Sequence, residues 1–157
     1  MNIFVLDTDV QRAAQAHVDK HCVKMILETT QLLNNALITG SPGYDPVYKQ
    51  THKNHPCSIW ATESIKNFTW LTNLGLALCE EYTFRYSKIH KCQPIIESFS
   101  KMTNTLTLPN IDMTPYKLCM PDQYKVSSPI ESYRNYYRGD KAYIAKWTKR
   151  NQPDWWN

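Results

Sequence analysis

His17, His21, Lys24, Glu28 and Gln31 follow one another at intervals of four, three, four and three residues. On an α-helix that spacing stacks them along one face. Imidazole, ammonium and carboxylate groups so placed can hold an anion, move a proton, or attack an electrophilic carbon through an unprotonated amine. Asn35 extends the row. Val18, Cys22, Val23, Met25, Ile26, Leu27, Leu32 and Leu33 flank it with apolar surface. A surface helix has one broad polar face, so a narrow polar row predicts a cleft lined by ionisable groups. Taken from water, such groups cost about 1–3 kcal/mol each unless something pairs with them. The plainer alternative is a row that faces solvent.

A second cluster, His52, Lys53, Asn54 and His55, precedes Pro56, a residue suited to the first position of a helix. Free N–H groups and the positive dipole end at a helix start form an anion site. Trp60, about one turn inside, either stacks on a base or packs in the core. A third element, residues 132–150, sets Arg134, Arg138, Lys141, Lys146, Lys149 and Arg150 against the single acid Asp140. Tyr133, Tyr136, Tyr137, Tyr143 and Trp147 interleave with them. Cations neutralise phosphate and aromatic faces accept bases, unless this is a solvated basic face over a tyrosine-rich core.

Other chemistries have less support in the sequence. His17 and His21 are placed to share an ion with His52, His55 or Cys57, but no zinc-ligand spacing is present, so neither a metal nor a cofactor is expected. The five cysteines are odd in number and include no C-x-x-C pair, which argues against a disulfide framework and for a reducing cytoplasm. Four glycines cannot build a glycine-rich phosphate cradle. "MNIFVLDTDV" is too short an apolar run for a signal peptide, and no run is long enough to cross a membrane. A net charge of +4 biases the chain mildly toward anionic partners.

The elements that must position these groups are helical. The chain's 157 residues suit one domain with its own core. "NIFVL" predicts a short extended segment. Residues 10–38 lack Gly and Pro and predict helix, with a break near Val18 if Asp19 caps a second one, ending at Gly40. Further helix is predicted from Pro56 to about Lys88, re-capped at Asn67, and over 93–102. Residues 103–127 predict a long ordered loop. "SPIE" at 128–131 is a capping box that opens a last helical stretch to Arg150, interrupted near Gly139. The expectation is a mostly α, single compact domain of five to seven helices.

At "DKHCVKMILE", "THKNHPCSIW", "EEYTFRYSKIH" and "YRNYYRGDKAYIAKWTKR" the chain resembles a family of small, mostly uncharacterised phage proteins. Over about residues 1–90, the N-terminal helix with an internal His, then "NHP…W", then a long helix ending in "RYSKIH", is similar to the phage pyrimidine-dimer DNA glycosylase/AP-lyase family. That resemblance implies a compact helical protein that attacks the sugar with a freed N-terminal amine and uses a glutamate on the first long helix. The chain departs at both points. Asn2 is bulky enough to block removal of Met1, and Lys24 falls nearest the family's glutamate, with Glu28 one turn later.

Two functional expectations follow. In the first, the cleft holds a phosphorylated nucleotide and sequesters a host immune signal of cyclic or ADP-ribose type. Lys20, Lys24 and Arg134 would meet phosphates, and His52, Asn54 and His55 phosphate or ribose. Trp60 or Tyr137 would stack on the base, Glu28 would meet hydroxyls, and His17, His21 and Lys141 would complete the lining. In the second, the chain is an enzyme on an N-glycosidic bond in DNA, with Lys24 or the terminal amine as nucleophile and Glu28 or His21 as acid–base. Self-association is compatible with either.

Overall fold

The computed structural model describes residues 1–157, which form six α-helices and no strand. The first residues run extended through the centre, with Ile3, Phe4, Val5 and Leu6 all buried. No second strand pairs with them, so side chains meet their backbone groups. Asn2 Oδ1 accepts from Ile3 N, and Arg134 Nε donates to Leu6 O at 3.0 Å.

α1 (Val10–Ala16) starts at Asp9, whose carboxylate accepts from Arg12 N. The predicted break at Val18 is present, with His17 and Val18 extended, but Asp19 is not the cap. Long-range donors meet the carbonyls at the break: Arg85 donates to Gln15 O and His17 O, and Trp147 Nε1 to Ala16 O. The Asp19 N–H in turn donates to Lys146 O.

α2 (Asp19–Gly40) and α4 (Ile65–Tyr86) are the two long helices and form the central pair. They approach closely at Gly75, where an added Cβ would stand 3.0 Å from Thr29 Cγ2. α3 (Pro56–Thr62) and α5 (Gln93–Ser100) lean on that pair. Ser64, not Asn67, re-caps the chain before α4, accepting from Asn67 N. α4 ends as Ser87 turns left-handed at φ 54°.

The loop after α5 is ordered because both ends of the core hold it. Thr107 N donates to Gly40 O and Ile65 N to Pro109 O, while Asn67 Nδ2 donates to Thr114 Oγ1. α6 (Pro129–Arg138) begins at Ser128, which accepts from Glu131 N as the capping box predicts. The last helix does not run to Arg150. It stops at Gly139, where a Cβ would collide with the Tyr124 ring at 2.4 Å. The following chain has another task, because Thr148 donates from its N–H and its hydroxyl to the Asp19 carboxylate at the start of α2. It keeps only short 3₁₀ turns, at Ala142–Ile144 and Asp154–Trp156.

Candidate active-site cleft

The extended start of the chain crosses the N-terminal half of α2. That crossing opens a cleft of about 370 Å³, lined by Met1, Asn2, Phe4, His21, Lys24, Met25, Glu28, His55, Cys119, Tyr136 and Lys141. α2 supplies His21, Lys24, Met25 and Glu28 from one face. The start of α3 supplies His55, the ordered loop Cys119, and α6 with the turn after it Tyr136 and Lys141.

Glu28 is the hub. Its Oε2 accepts from Asn2 N at 3.1 Å, and its Oε1 stands 4.0 Å from the Met1 amine and 3.8 Å from Lys24 Nζ. The Met1 side chain is 3% exposed, so packing anchors the residue that carries the amine. Asn2 is fixed at both ends: Nδ2 donates to Cys119 O at 2.8 Å, and Oδ1 accepts from Tyr133 OH at 3.1 Å. The carboxylate is thus aimed at the chain start by backbone and side-chain bonds together.

Around this pair the groups differ in freedom. His21 stacks on Phe4 with ring centroids 4.3 Å apart and shares a 2.7 Å hydrogen bond with Tyr137 OH. Burial, then the neighbouring His17, Lys141 and Lys24 charges, push it down to about 3. It is therefore neutral at physiological pH. His55 Nδ1 accepts from Cys57 N, and burial together with the terminal amine lowers its pKa. Lys24 has a side chain 69% exposed and stands at the rim. Lys141 Nζ lies 5.0 Å over the Tyr136 ring. Cys119 and Cys57 stand with sulfurs 3.6 Å apart. The Cys119 thiol is lowered to about 7 by the hydrogen bond with Cys57, with help from Lys125, the terminal amine and Lys117 against its burial.

Of the residues read from sequence, His21, Lys24, Glu28, His55 and Lys141 share this cleft. The others stand elsewhere. His17 lies on no continuous helix with the row. It closes α1, is fully buried, and its Nδ1 bonds Ala13 O while Nε2 has no partner. Lys20 is exposed and lines no cavity. His52 is exposed at φ 51° and bonds Thr51 Oγ1. Asn54 belongs to a separate hollow of about 260 Å³ with Lys53 and Gln50.

The two stacking candidates are core residues. Trp60 is 1% exposed, donates to Thr114 O and packs on Trp70 and Tyr116. Tyr137 is fully buried against Phe4 and His21. Arg134 lines a larger open groove of about 660 Å³ with Arg12, Arg150 and Trp155. Its three arginines are already engaged there, Arg12 with Asp7, Arg134 with Glu131 and Arg150 with Glu81, while Lys149 donates to Phe84 O. Sequence reasoning missed Asn2 as a positioning residue and missed Cys119 and Tyr136. No local spacing links these three; only Tyr136, inside the basic-aromatic stretch, carried a compositional signal.

Residues 1–94 match the family model described as pyrimidine dimer DNA glycosylase. The matched span holds Met1, Asn2, His21, Lys24, Glu28 and His55 and ends before Cys119, Tyr136 and Lys141. It bears on the glycosylase resemblance and not on the phage-protein one. No curated protein and no solved structure matches the chain.

Proposed function

The chain belongs to the pyrimidine dimer DNA glycosylase family, and from that premise we propose that it cleaves an N-glycosidic bond in damaged DNA through an amine nucleophile held by Glu28. The observation that carries the reading is the Met1 amine 4.0 Å from the Glu28 carboxylate inside a cleft.

The amine attacks C1′ of the deoxyribose, and the glycosidic bond breaks with its electron pair leaving on the base. Glu28 takes the proton that the amine sheds and offsets the positive charge developing at the sugar. Ring opening turns the new N–C1′ bond into an imine; loss of a C2′ proton then breaks the C3′–O bond and expels the 3′ phosphate, and water hydrolyses the imine to free the amine. The Met1 amine suits this role better than Lys24, because packing fixes its residue in the cleft with a side chain 3% exposed, while the Lys24 side chain is 69% exposed. Asn2 at position two does not defeat the geometry. Its own backbone N is 3.1 Å from Glu28, so an amine at either residue would face the carboxylate.

Nucleotide sequestration lacks its pocket, since Trp60 and Tyr137 are enclosed in the core and Lys20, His52, Asn54 and Arg134 lie off the cleft. The deciding experiment is borohydride trapping with duplex DNA that carries a pyrimidine dimer or an abasic site, followed by peptide mapping. A covalent adduct on residue 1 is expected. Intact DNA and no adduct would sink the reading, and an adduct on Lys24 would transfer the nucleophile to that side chain.

A further inference from the structure

Three donor side chains converge at the wall of the cleft without any part in the amine–carboxylate pair. His55 comes from the start of α3, Cys57 from its first turn, and Cys119 from the ordered loop 62 positions further along the chain. Their ligand atoms all lie within 4.8 Å of one another. We propose that His55, Cys57 and Cys119 form a binding site for a thiophilic divalent cation, with zinc the best fit.

The donor set and spacing both point there. Two thiolates and one imidazole are the ligands of an open zinc site, in which the fourth position is left to water or substrate. Tetrahedral zinc with bonds of about 2.3 Å to sulfur sets two thiolates roughly 3.7 Å apart. Cys57 Sγ and Cys119 Sγ already stand at 3.6 Å. The imidazole nitrogen has to close by about 1 Å to reach its own position in that geometry. In doing so the ring gives up the bond that Nδ1 accepts from Cys57 N, because a neutral imidazole has a single nitrogen lone pair to offer. Asn2 Oδ1, 3.7 Å from Cys57 Sγ, or water from the cleft is left for the fourth position.

Charge and protons balance. Each thiol releases its proton to solvent on binding, and two thiolates neutralise the dication. Backbone positions back the donors. Cys57 is buried at the head of a helix, and the loop bearing Cys119 is tied to Asn2 and to Tyr133 OH. A bound ion would join the chain start, α3 and the loop into one wall. This inference does not depend on glycosidic chemistry, and its test reads no activity.

The test uses the full chain, kept reduced with a non-thiol reductant and titrated with cobalt(II). One equivalent should develop a thiolate-to-cobalt charge-transfer band and the d–d bands of a tetrahedral ion, and zinc should displace it. Cys119→Ser, at a half-exposed position, and Cys57→Ser as a second variant should each abolish the charge-transfer band or cut cobalt affinity at least tenfold, with the helical circular-dichroism spectrum retained. Zinc should raise the melting temperature of the unsubstituted chain and of neither variant. Absence of the band in the reduced chain would overturn the proposal. So would an equal band, or an equal zinc-dependent rise in melting temperature, in both variants. Pairing of Cys57 with Cys119 as a disulfide without reductant, combined with no cobalt binding when reduced, would replace the metal site by a redox pair.

Discussion

Glu28 accepts from Asn2 N and stands beside the Met1 amine, so under the proposed chemistry its charge serves both orientation and proton transfer. Glu28→Gln keeps the shape and removes the base. Under the proposed chemistry it should lower single-turnover strand cleavage by about 10²–10⁴-fold while leaving DNA affinity within a few-fold. A short uncleaved extension ahead of Met1 should abolish the borohydride adduct, as it converts the amine to an amide. His17 and His21 carry a different prediction. Burial first of all holds His17 down to about 4 and His21 down to about 3, below the ordinary histidine value of 6.5. The unfolded chain therefore binds protons that the folded chain refuses, and stability falls as pH drops from about 6.5 toward 4. At about pH 5 each histidine costs roughly 2 kcal/mol relative to pH 8. Urea unfolding at several pH values measures this; a flat profile between pH 8 and 5 would contradict the neutral buried state. The carboxylates of Asp19 and Glu81 respond lower still. Burial alone would raise them, but the hydrogen bonds of Thr148 and Arg85 to Asp19, and of Arg150 and Arg85 to Glu81, hold both below their usual values.

At the scale of elements, Arg85 joins three helices. From α4 it reaches Glu81 on its own helix, Asp19 at the start of α2, and the carbonyls of Gln15 and His17 where α1 ends. Its side chain is fully enclosed. Arg85→Ala leaves the carboxylate of Glu81 with only Arg150 and strands two carbonyls, and is expected to cost about 3–5 kcal/mol in denaturant unfolding. The same cluster explains the break between α1 and α2. Nothing local forbids helix through His17 and Val18, but a continuous helix would bond those carbonyls internally and take two acceptors from the buried Arg85 guanidinium. Gly75 sets the other contact, where α4 meets α2 one residue from Glu28. Gly75→Val would push against Thr29 and Ile96, at 3.0 and 3.1 Å from the Cβ position, and should destabilise by about 1–3 kcal/mol through overpacking.

For the whole molecule, the cleft lies where the start of the chain meets the stretch that holds Cys119, Tyr136 and Lys141. Met1 and Asn2 are placed by residues between 117 and 137, through Cys119 O, Tyr133 OH and the rings that enclose Phe4. Residues 95–157, beyond the family match, therefore form part of the same site. Lys24 and Lys141 bring positive charge to the cleft, in keeping with a net charge of +4. For a DNA-binding protein, affinity should fall steeply with salt, and Lys141→Ala should reduce the slope of log K against log salt by about 1 if that ammonium meets a phosphate. An unchanged slope in fluorescence-anisotropy titrations would place Lys141 off the DNA path. No helix is long and apolar enough to cross a membrane.

Periodicity and caps made much of this legible from the chain. The helical class, the starts at Pro56 and Ser128, the ordered loop, and the row His21–Lys24–Glu28 all rest on local chemistry, in which spacing alone puts groups on one face. What local chemistry cannot contain is a partner distant in sequence. His17 reads as part of the row because the donors that end α1 come from Arg85 and Trp147. Trp60 and Tyr137 read as base-stacking candidates because an aromatic ring looks the same in sequence whether it meets a ligand or a core. The last helix reads as running to Arg150 because its competitor is the demand of Asp19 for Thr148. Tertiary structure alone decided that the Met1 amine meets Glu28 and that Cys57 meets Cys119, since both pairs are closed by long-range packing and leave no periodic trace in the chain.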